Sequence, residues 1–218
     1  MNFVQISKTL LFQGTSAEET KAMLKCLAAR ERHFQKSETI YRVGDTVTDV
    51  GLVLSGSVLI ENDDFWGNRS ILDQIGPGQI FAETYACVPG EKLMVAVTAA
   101  AASDILFLNV GKILEVCTKA CSFHGKLIRN LLSLAAQKNL SLSRRIFHTS
   151  AKSIRERLLS YLSWQAVKQG SREFDIVFNR QQLADYLGVD RSAMSAELGK
   201  MRREGLIQVE RNHFKMKE

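Results

Sequence analysis

Between Thr39 and about Asn109 the apolar positions come in short runs rich in Val, Ile and Leu, interrupted at intervals by glycine. The segments ETIYRVGD, DVGLVLSGSVLIEN, RSILDQIGPGQIF and LMVAVTAAAASDILFLN each hold strands of five to seven residues, which predicts an antiparallel barrel or sandwich. Within them VLSGSVLI reads as a hairpin turning at Ser55 and Gly56. On either side the period becomes helical. Ala17 to Ala29 predicts a short helix capped by Ser16, with Met23, Leu24 and Leu27 facing inward. After Asn109 the pattern predicts helix over Val110 to Val116 and again over Ala120 to His148, a long stretch without proline. From Ile128 on, Ile128, Leu132, Ala135, Asn139, Leu142 and Ile146 recur at alternating steps of 4 and 3. Such a narrow seam suits pairing with a copy of itself, with polar Asn139 fixing the register, although burial against the β-region could use the same residues.

A further helix is expected over Ser153 to Lys168, ended by Gly170, and then a short strand over FDIVF, residues 174 to 178. The segment NRQQLADYLGVDRSAMSAELGKMRREGLI, Asn179 to Ile207, has the spacing of two short helices joined by a tight turn. Asn179 caps the first, which buries Leu183, Ala184 and Leu187; Gly188 permits a positive φ at the turn. Asp190 caps the second, whose inward stripe is Met194, Leu198 and Met201. Opposite that stripe lie Arg191, Ser192, Ser195, Ala196 and Gly199, a face suited to base edges in a major groove. Glu197 breaks the pattern, and Leu198 beside it is expected to take its packing role. Leu206 to Val209 and His213 to Met216, flanking Arg211 and Asn212, complete a winged helix-turn-helix.

Charge sharpens this division. The chain of 218 residues carries a formal +6; from Arg144 onward there are 15 Lys and Arg against 9 Asp and Glu, and before it 14 against 14. A neutral first part joined to a basic second part suits phosphate neutralisation by the second. The organisation expected is a β-domain over 1–119, a dimerisation helix over 120–148 and a DNA-binding domain over 149–218. Lys8 and Gln13 interrupt the N-terminal stretch, so neither a signal peptide nor a membrane span is expected there. The four cysteines, 26, 87, 117 and 121, lack the spacing of a disulfide framework. A cytoplasmic location follows as the expectation.

The order of small β-domain, long helix and winged helix-turn-helix, with GPGQIFAET and NRQQLADYLGVDRSAMSAEL, resembles the Crp/Fnr family of bacterial transcription regulators. The resemblance spans nearly the whole chain. It implies an α+β fold with an N-terminal jelly roll that senses an effector, a homodimer, a palindromic duplex as target and RNA polymerase as a partner. In the cyclic-nucleotide-binding members a glutamate after Gly-x-x-Phe holds the ribose and an Arg-Ser pair holds the phosphate. Glu83 stands at the glutamate position, but Leu93 and Met94 stand in place of Arg and Ser. A buried phosphate there would lose its bidentate partner, so a cyclic nucleotide is not expected. Phe81, Tyr85, Leu93 and Met94 suggest an apolar pocket or one filled by its own side chains, with Lys138 and Asn139 as contacts from the long helix.

The oxygen-sensing members hold an iron–sulfur cluster through N-terminal cysteines. Only Cys26 precedes residue 80 here, which argues against that cofactor. Cys117, Cys121 and His124 would share one helix face and could take haem or a soft metal, or respond to oxidants, but ordinary core packing uses the same residues and no metal is assigned. At the DNA end the family often presents Arg-Glu early in the recognition helix and an Arg four residues after the Glu; here those places hold Arg191, Ser192 and Ala196. Arg191 and Ser195 remain to read bases, while Arg180, Lys200, Arg202 and Arg203 suit phosphate contacts. No catalytic constellation stands out, so an enzyme is not expected. The alternative to an effector-controlled regulator is a constitutive DNA-binding protein whose β-domain is a ligand-free scaffold.

Overall fold

The computed structural model describes residues 1–63, 69–114 and 122–217. Contacts divide it into two units, Met1–Gln137 and Lys138–Glu218. In the first, α1 (Phe3–Ser7), a turn of 3₁₀ helix (Leu10–Phe12) and α2 (Ala17–Cys26) precede the strands. These are β1 (Arg30–Phe34), β2 (Thr39–Tyr41), β3 (Asp49–Ser55), β4 (Val58–Asp63), β5 (Arg69–Ile75) and β6 (Ile80–Phe81), then α3 (Glu83–Ala86), β7 (Ala96–Ala99) and β8 (Ser103–Asn109). After these come α4 (Val110–Leu114) and the first part of α5 (Ser122–Thr149).

Two four-stranded antiparallel sheets face each other, ordered β1-β8-β3-β6 and β2-β7-β4-β5. The first sheet is covered on both faces. Val50, Leu52, Leu106 and Leu108 pack toward Ile6, Leu11, Phe12, Met23, Leu24, Leu27, Leu127 and Leu131 of the helices. Their alternate neighbours Val53, Ile105 and Phe107 join Phe34, Val58, Ile75, Phe81, Val97 and Ala99 between the sheets. Two-sided burial explains why VGLVL is continuously apolar rather than alternating.

Ser55 and Gly56 do not close a hairpin. β3 pairs with β8 and β6, β4 pairs with β5 and β7, and the turn carries the chain from one sheet to the other. Fully buried Val53 and Val58 thereby reach the same core from opposite walls. Gly56 has φ 75°, and a methyl there would lie 2.3 Å from the Ala102 carbonyl oxygen, so close backbone approach selects glycine. β1 emerges from RERHF, where only Phe34 is buried; its strand character comes from pairing with β8, Arg30 opposite Phe107. α2 stops at Cys26, short of Ala29, because Ala28 turns left-handed with φ 48°.

Along α5, Ile128 differs from the expected seam: it is partly buried and packs on the first unit's own core. Leu132, Leu142 and Ile146 stay 69%, 61% and 67% exposed. Ala135 is half-buried and Asn139 exposed.

The second unit contains the end of α5, α6 (Ile154–Gln169), β9 (Glu173–Asp175), α7 (Arg180–Leu187), α8 (Arg191–Arg203), β10 (Ile207–Glu210) and β11 (His213–Met216). Ser153 and Glu156 form a reciprocal cap at the start of α6, and left-handed Gly170 ends it. The sheet order is β10-β11-β9. β9 is shorter than FDIVF because Ile176 leaves the ladder, its amide donating to Asn212 O, while Val177 turns out to 87% exposure.

A methyl at Gly51, opposite Phe81 in the β3–β6 pair, would lie 2.2 Å from that ring. Gly51→Ala should therefore destabilise the first unit by about 1–3 kcal/mol through overpacking. Urea unfolding checks this, and a loss within measurement error would show that the ring moves aside freely.

Candidate nucleic-acid interface

The helix-turn-helix forms as its local chemistry dictates. Asn179 accepts from the Gln182 amide at 3.0 Å, and Gln182 Oε1 accepts from the Asn179 amide at 2.9 Å, a closed cap on α7. Gly188 ends the helix with φ 62°. Asp190 caps α8, accepting from the Ala193 amide at 2.8 Å and from the Ser192 hydroxyl, and these bonds hold its carboxyl below the usual range. Leu183, Ala184, Leu187, Met194, Leu198 and Met201 are all buried, in one core with Leu158, Leu162, Ile207 and Phe214.

On the outer face Arg191, Ser192, Ser195 and Ala196 are exposed. Ser192 is less free than its position suggests, because its proton is given to the Asp190 cap. Arg180 also differs from a simple surface cation: it is half-buried, its guanidinium lies 5.3 Å from the Phe214 ring centre, and burial pulls its pKa down. Lys200 stands 3.7 Å from Glu197, which shares part of its charge, whereas Arg202 and Arg203 are exposed.

Glu197 is explained by a partner far along the chain. Arg155 Nε donates to it at 2.6 Å while the rest of the guanidinium holds Glu204 at 2.7 and 2.8 Å. Leu198, 3% exposed, does take the packing role.

Two further arginines grip the end of α7. Arg145 donates to the carbonyls of Asp185 at 3.0 Å and Tyr186 at 3.1 Å. Arg157 donates to those of Leu187 at 3.0 Å, Gly188 at 3.1 Å and Ala151 at 2.9 Å. Arg145, Arg155 and Arg157 thus serve the fold, which charge counting does not distinguish from DNA contacts. Arg211 was passed over as a turn residue; it sits exposed at the tip of the β10–β11 wing with φ 53°. It lines a groove with Val177, Phe178, Asn179, Arg180, Gln182 and Asn212, at the start of α7.

In the first unit Phe81 and Leu93 are 1% and 2% exposed. The Phe81 ring meets Tyr41 at 6.1 Å and Phe107 at 6.4 Å edge to face, and Phe107 meets Phe34 at 6.1 Å. Aromatic side chains therefore occupy the space between the sheets. Ala82, left-handed with φ 62°, packs on this core at the head of α3, followed by buried Glu83. Tyr85 is half-buried, its hydroxyl accepting from the Met94 amide at 3.4 Å. Met94 is 71% exposed and faces solvent, not a pocket, while its neighbour Leu93 is buried. Lys138 is half-buried and Asn139 exposed on α5, in the second unit.

His124 is 6% exposed, and neither ring nitrogen has a hydrogen-bond partner among the described residues. Cys117 and Cys121 lie outside the described residues. Among the described residues no group of three or more His, Cys, Asp or Glu is placed to hold a metal ion.

The sequence model of the cyclic nucleotide-binding domain matches residues 31–120, and that of the Crp-like helix-turn-helix domain matches residues 156–217. The chain belongs to the Crp/Fnr family of transcription regulators. It is a DNA-binding regulator with an effector-domain fold, in a family of regulators rather than enzymes. It is similar to electron transport regulator A of Shewanella oneidensis, 24% identical over 191 residues, covering 83% of this chain and 72% of that one. The catabolite activator protein of Thermus thermophilus shares its fold with 23% identity and a TM-score of 0.53, over 96% of this chain and 94% of that one. So does the c-di-GMP-responsive global regulator CLP of Xanthomonas campestris, at 15% identity and a TM-score of 0.57, over 93% and 100%. Among the described residues no helix is long and apolar enough to cross a membrane.

Removing the grip on α7 should be costly. Arg157→Ala strands the carbonyls of Leu187 and Gly188 and is expected to destabilise the second unit by about 1–3 kcal/mol. Thermal unfolding followed at the second unit's tryptophan, Trp164, checks it; an unchanged midpoint would show that water satisfies these carbonyls equally well.

Proposed function

We propose that the chain acts as a homodimer that reads a palindromic duplex with paired α8 helices, under the control of a small effector or a redox or gas signal taken up by the first unit. The observation that carries the pairing is the uncovered apolar stripe of α5. Leu132, Leu142 and Ile146 are 69%, 61% and 67% exposed, with Ala135 and Asn139 on the same seam. Burying each large side chain of this kind stabilises by about 1.5–3 kcal/mol, and a second copy offers the matching stripe. Two recognition helices related by a two-fold axis would then enter successive major grooves. Arg191 and Ser195 would touch base edges, while Arg202, Arg203, Arg211 and the partly packed Arg180 would lie along phosphates. RNA polymerase is the partner such a regulator would work through.

The effector is not a cyclic nucleotide on this reading. Leu93 offers an apolar wall and Met94 faces solvent, so neither supplies a charge-assisted bond to a buried phosphate. Phe81, Glu83, Tyr85 and Leu93 suit an apolar ligand with a polar end. A second reading, a ligand-free scaffold with constitutive DNA binding, is favoured by the aromatic filling between the sheets and by the Ala82 methyl packed against it. A panel of metabolites in thermal unfolding separates the two, since a ligand bound only by the native state raises the midpoint. Protein purified without oxygen, examined by absorption spectroscopy and metal analysis, covers the haem or metal variant of the first reading.

Leu132→Asp should convert the dimer to monomer in sedimentation velocity, and an unchanged coefficient would place the seam elsewhere. Arg191→Ala should weaken binding to a selected duplex by about 1–3 kcal/mol with little change in melting, and an equal loss on random duplex would remove its base-reading role. Arg211→Gly should act in opposite directions on two measurements. Relief of the left-handed arginine should raise stability by about 1 kcal/mol, while the slope of log affinity against log salt should fall by about 1.

A further inference from the structure

His148 stands in the last turn of α5 with 1% of its surface exposed. Its Nδ1 lies 2.8 Å from the Ser160 hydroxyl on α6, and its Nε2 is buried with no hydrogen-bond partner among the described residues. Aromatic rings surround it: Phe147 beside it, Tyr161 and Trp164 of α6, each at 5.7 Å, and Tyr186 of α7 at 6.2 Å. Three residues earlier, Arg145 holds the last carbonyls of α7. A phenylalanine would fill the same space without stranding a polar atom, so the imidazole is an unfavourable choice for packing alone.

We propose that His148 is a positioning residue acting as a proton-sensitive joint. In its neutral form it locks the end of α5 to α6 and α7, and so sets α8 for DNA; when protonated, it lets them part. The joint rests on the reading of α8 as the DNA-contacting helix. Protonation puts a hydrogen on both nitrogens. Nδ1–H can still donate to the Ser160 oxygen, but Nε2–H then faces rings with no acceptor among the described residues.

Among the described residues the carboxylates on the packed helices are engaged elsewhere. Near the end of α5 the charged groups are Arg144 and Arg145; α6 carries Arg155, which is taken up by Glu197 and Glu204, Glu156, whose carboxylate accepts from the Ser153 amide at 3.2 Å in the helix cap, Arg157 and Lys168. Arg144 and Lys168 lie 5.5 and 5.0 Å from the Trp164 ring centre and Arg145 6.0 Å from that of Tyr186. On α7 the Asp185 carboxylate is engaged by the Gln181 amide at 2.8 Å. Burial pushes the Tyr186 phenol up and that of Tyr161 up to about 12, so both stay neutral. Burial likewise holds His148 below the ordinary imidazole value. The exposed imidazole of the opened joint takes a proton near pH 6.5, and the closed one only below that. The closed joint is therefore at full strength above about pH 6.5 and weakens as the pH falls, by at most about tenfold at pH 5.5.

The full chain is compared at about pH 7.5 and about pH 5.5, at fixed ionic strength, by two readouts. One is amide hydrogen exchange across α7, which needs no DNA; the other is affinity for a duplex that this protein enriches from a random pool at the higher pH. In the wild type, acid should speed α7 exchange and lower affinity by up to about tenfold. His148→Phe, which keeps a ring and cannot take a proton, should respond by less than about twofold in both. His148→Gln keeps a polar group within reach of Ser160 and replaces it should the phenylalanine variant fail to fold. Equal pH responses in wild type and variant, or an NMR titration of His148 with an ordinary midpoint, would overturn the joint. If no duplex is enriched, the DNA-contacting role of α8 fails, and hydrogen exchange still decides whether the joint exists.

Discussion

A helix that ends inside a protein leaves carbonyls pointing at whatever follows, and the end of α7 is where this constraint governs the DNA-binding unit. Arg145 and Arg157 reach it from two different helices and take four successive carbonyls, Asp185 to Gly188, between them. With those carbonyls held, the left-handed turn at Gly188 starts from a fixed place, and Asp190 can begin α8 in a fixed direction. The exposed face of α8 is then aimed by two arginines whose guanidinium groups are taken up by backbone carbonyls. Much of the basic excess in this half of the chain is spent in that way.

The helix-turn-helix was legible in the sequence because almost every instruction for it is local. The caps reach three residues, the turn glycine answers to its own φ, and the inward stripe has the period of one helix. Where an instruction came from a distance, reading failed. Glu197 could not be understood without Arg155, 42 residues away. Ser55 and Gly56 had the composition of a hairpin turn, yet the partners that decide the strands' sheets are β8 and β7. β1 was hidden because one buried phenylalanine in five residues leaves no alternation to see. Met94 was placed in a pocket by likeness of position, yet in the bend just before β7 it is Leu93 that turns inward and Met94 that faces solvent.

The first unit has the fold of a cyclic nucleotide-binding domain, and aromatic side chains fill the space between its sheets. Tyr41, Phe81 and Phe107 interlock edge to face, worth about 0.5–1.5 kcal/mol per pair beyond the area they bury. Ala82 holds a left-handed conformation that glycine would adopt without strain, and its methyl adds to the same core. Stability and ligand space compete for one volume here. An effector that enters must displace part of this packing, so it would be recognised by shape and apolar fit before charge.

The turn at Gly56 also sets the order in which the chain can be made. β3 waits for a partner that lies 52 residues beyond Val53 at Ile105 and 60 beyond Asp49 at Asn109. At roughly 5–20 residues per second of synthesis, several seconds pass between the two strands leaving the ribosome. During that interval β3 lacks its β8 neighbour, and Val53 lacks most of its cover between the sheets, which comes from later residues such as Val97, Ala99, Ile105 and Phe107. The β10–β11 wing, by contrast, pairs within ten residues and has no such wait. Crossing between sheets at Gly56 thus makes the sensor-like half the slower and more aggregation-exposed part of a nascent chain, and the DNA-reading half the quicker one.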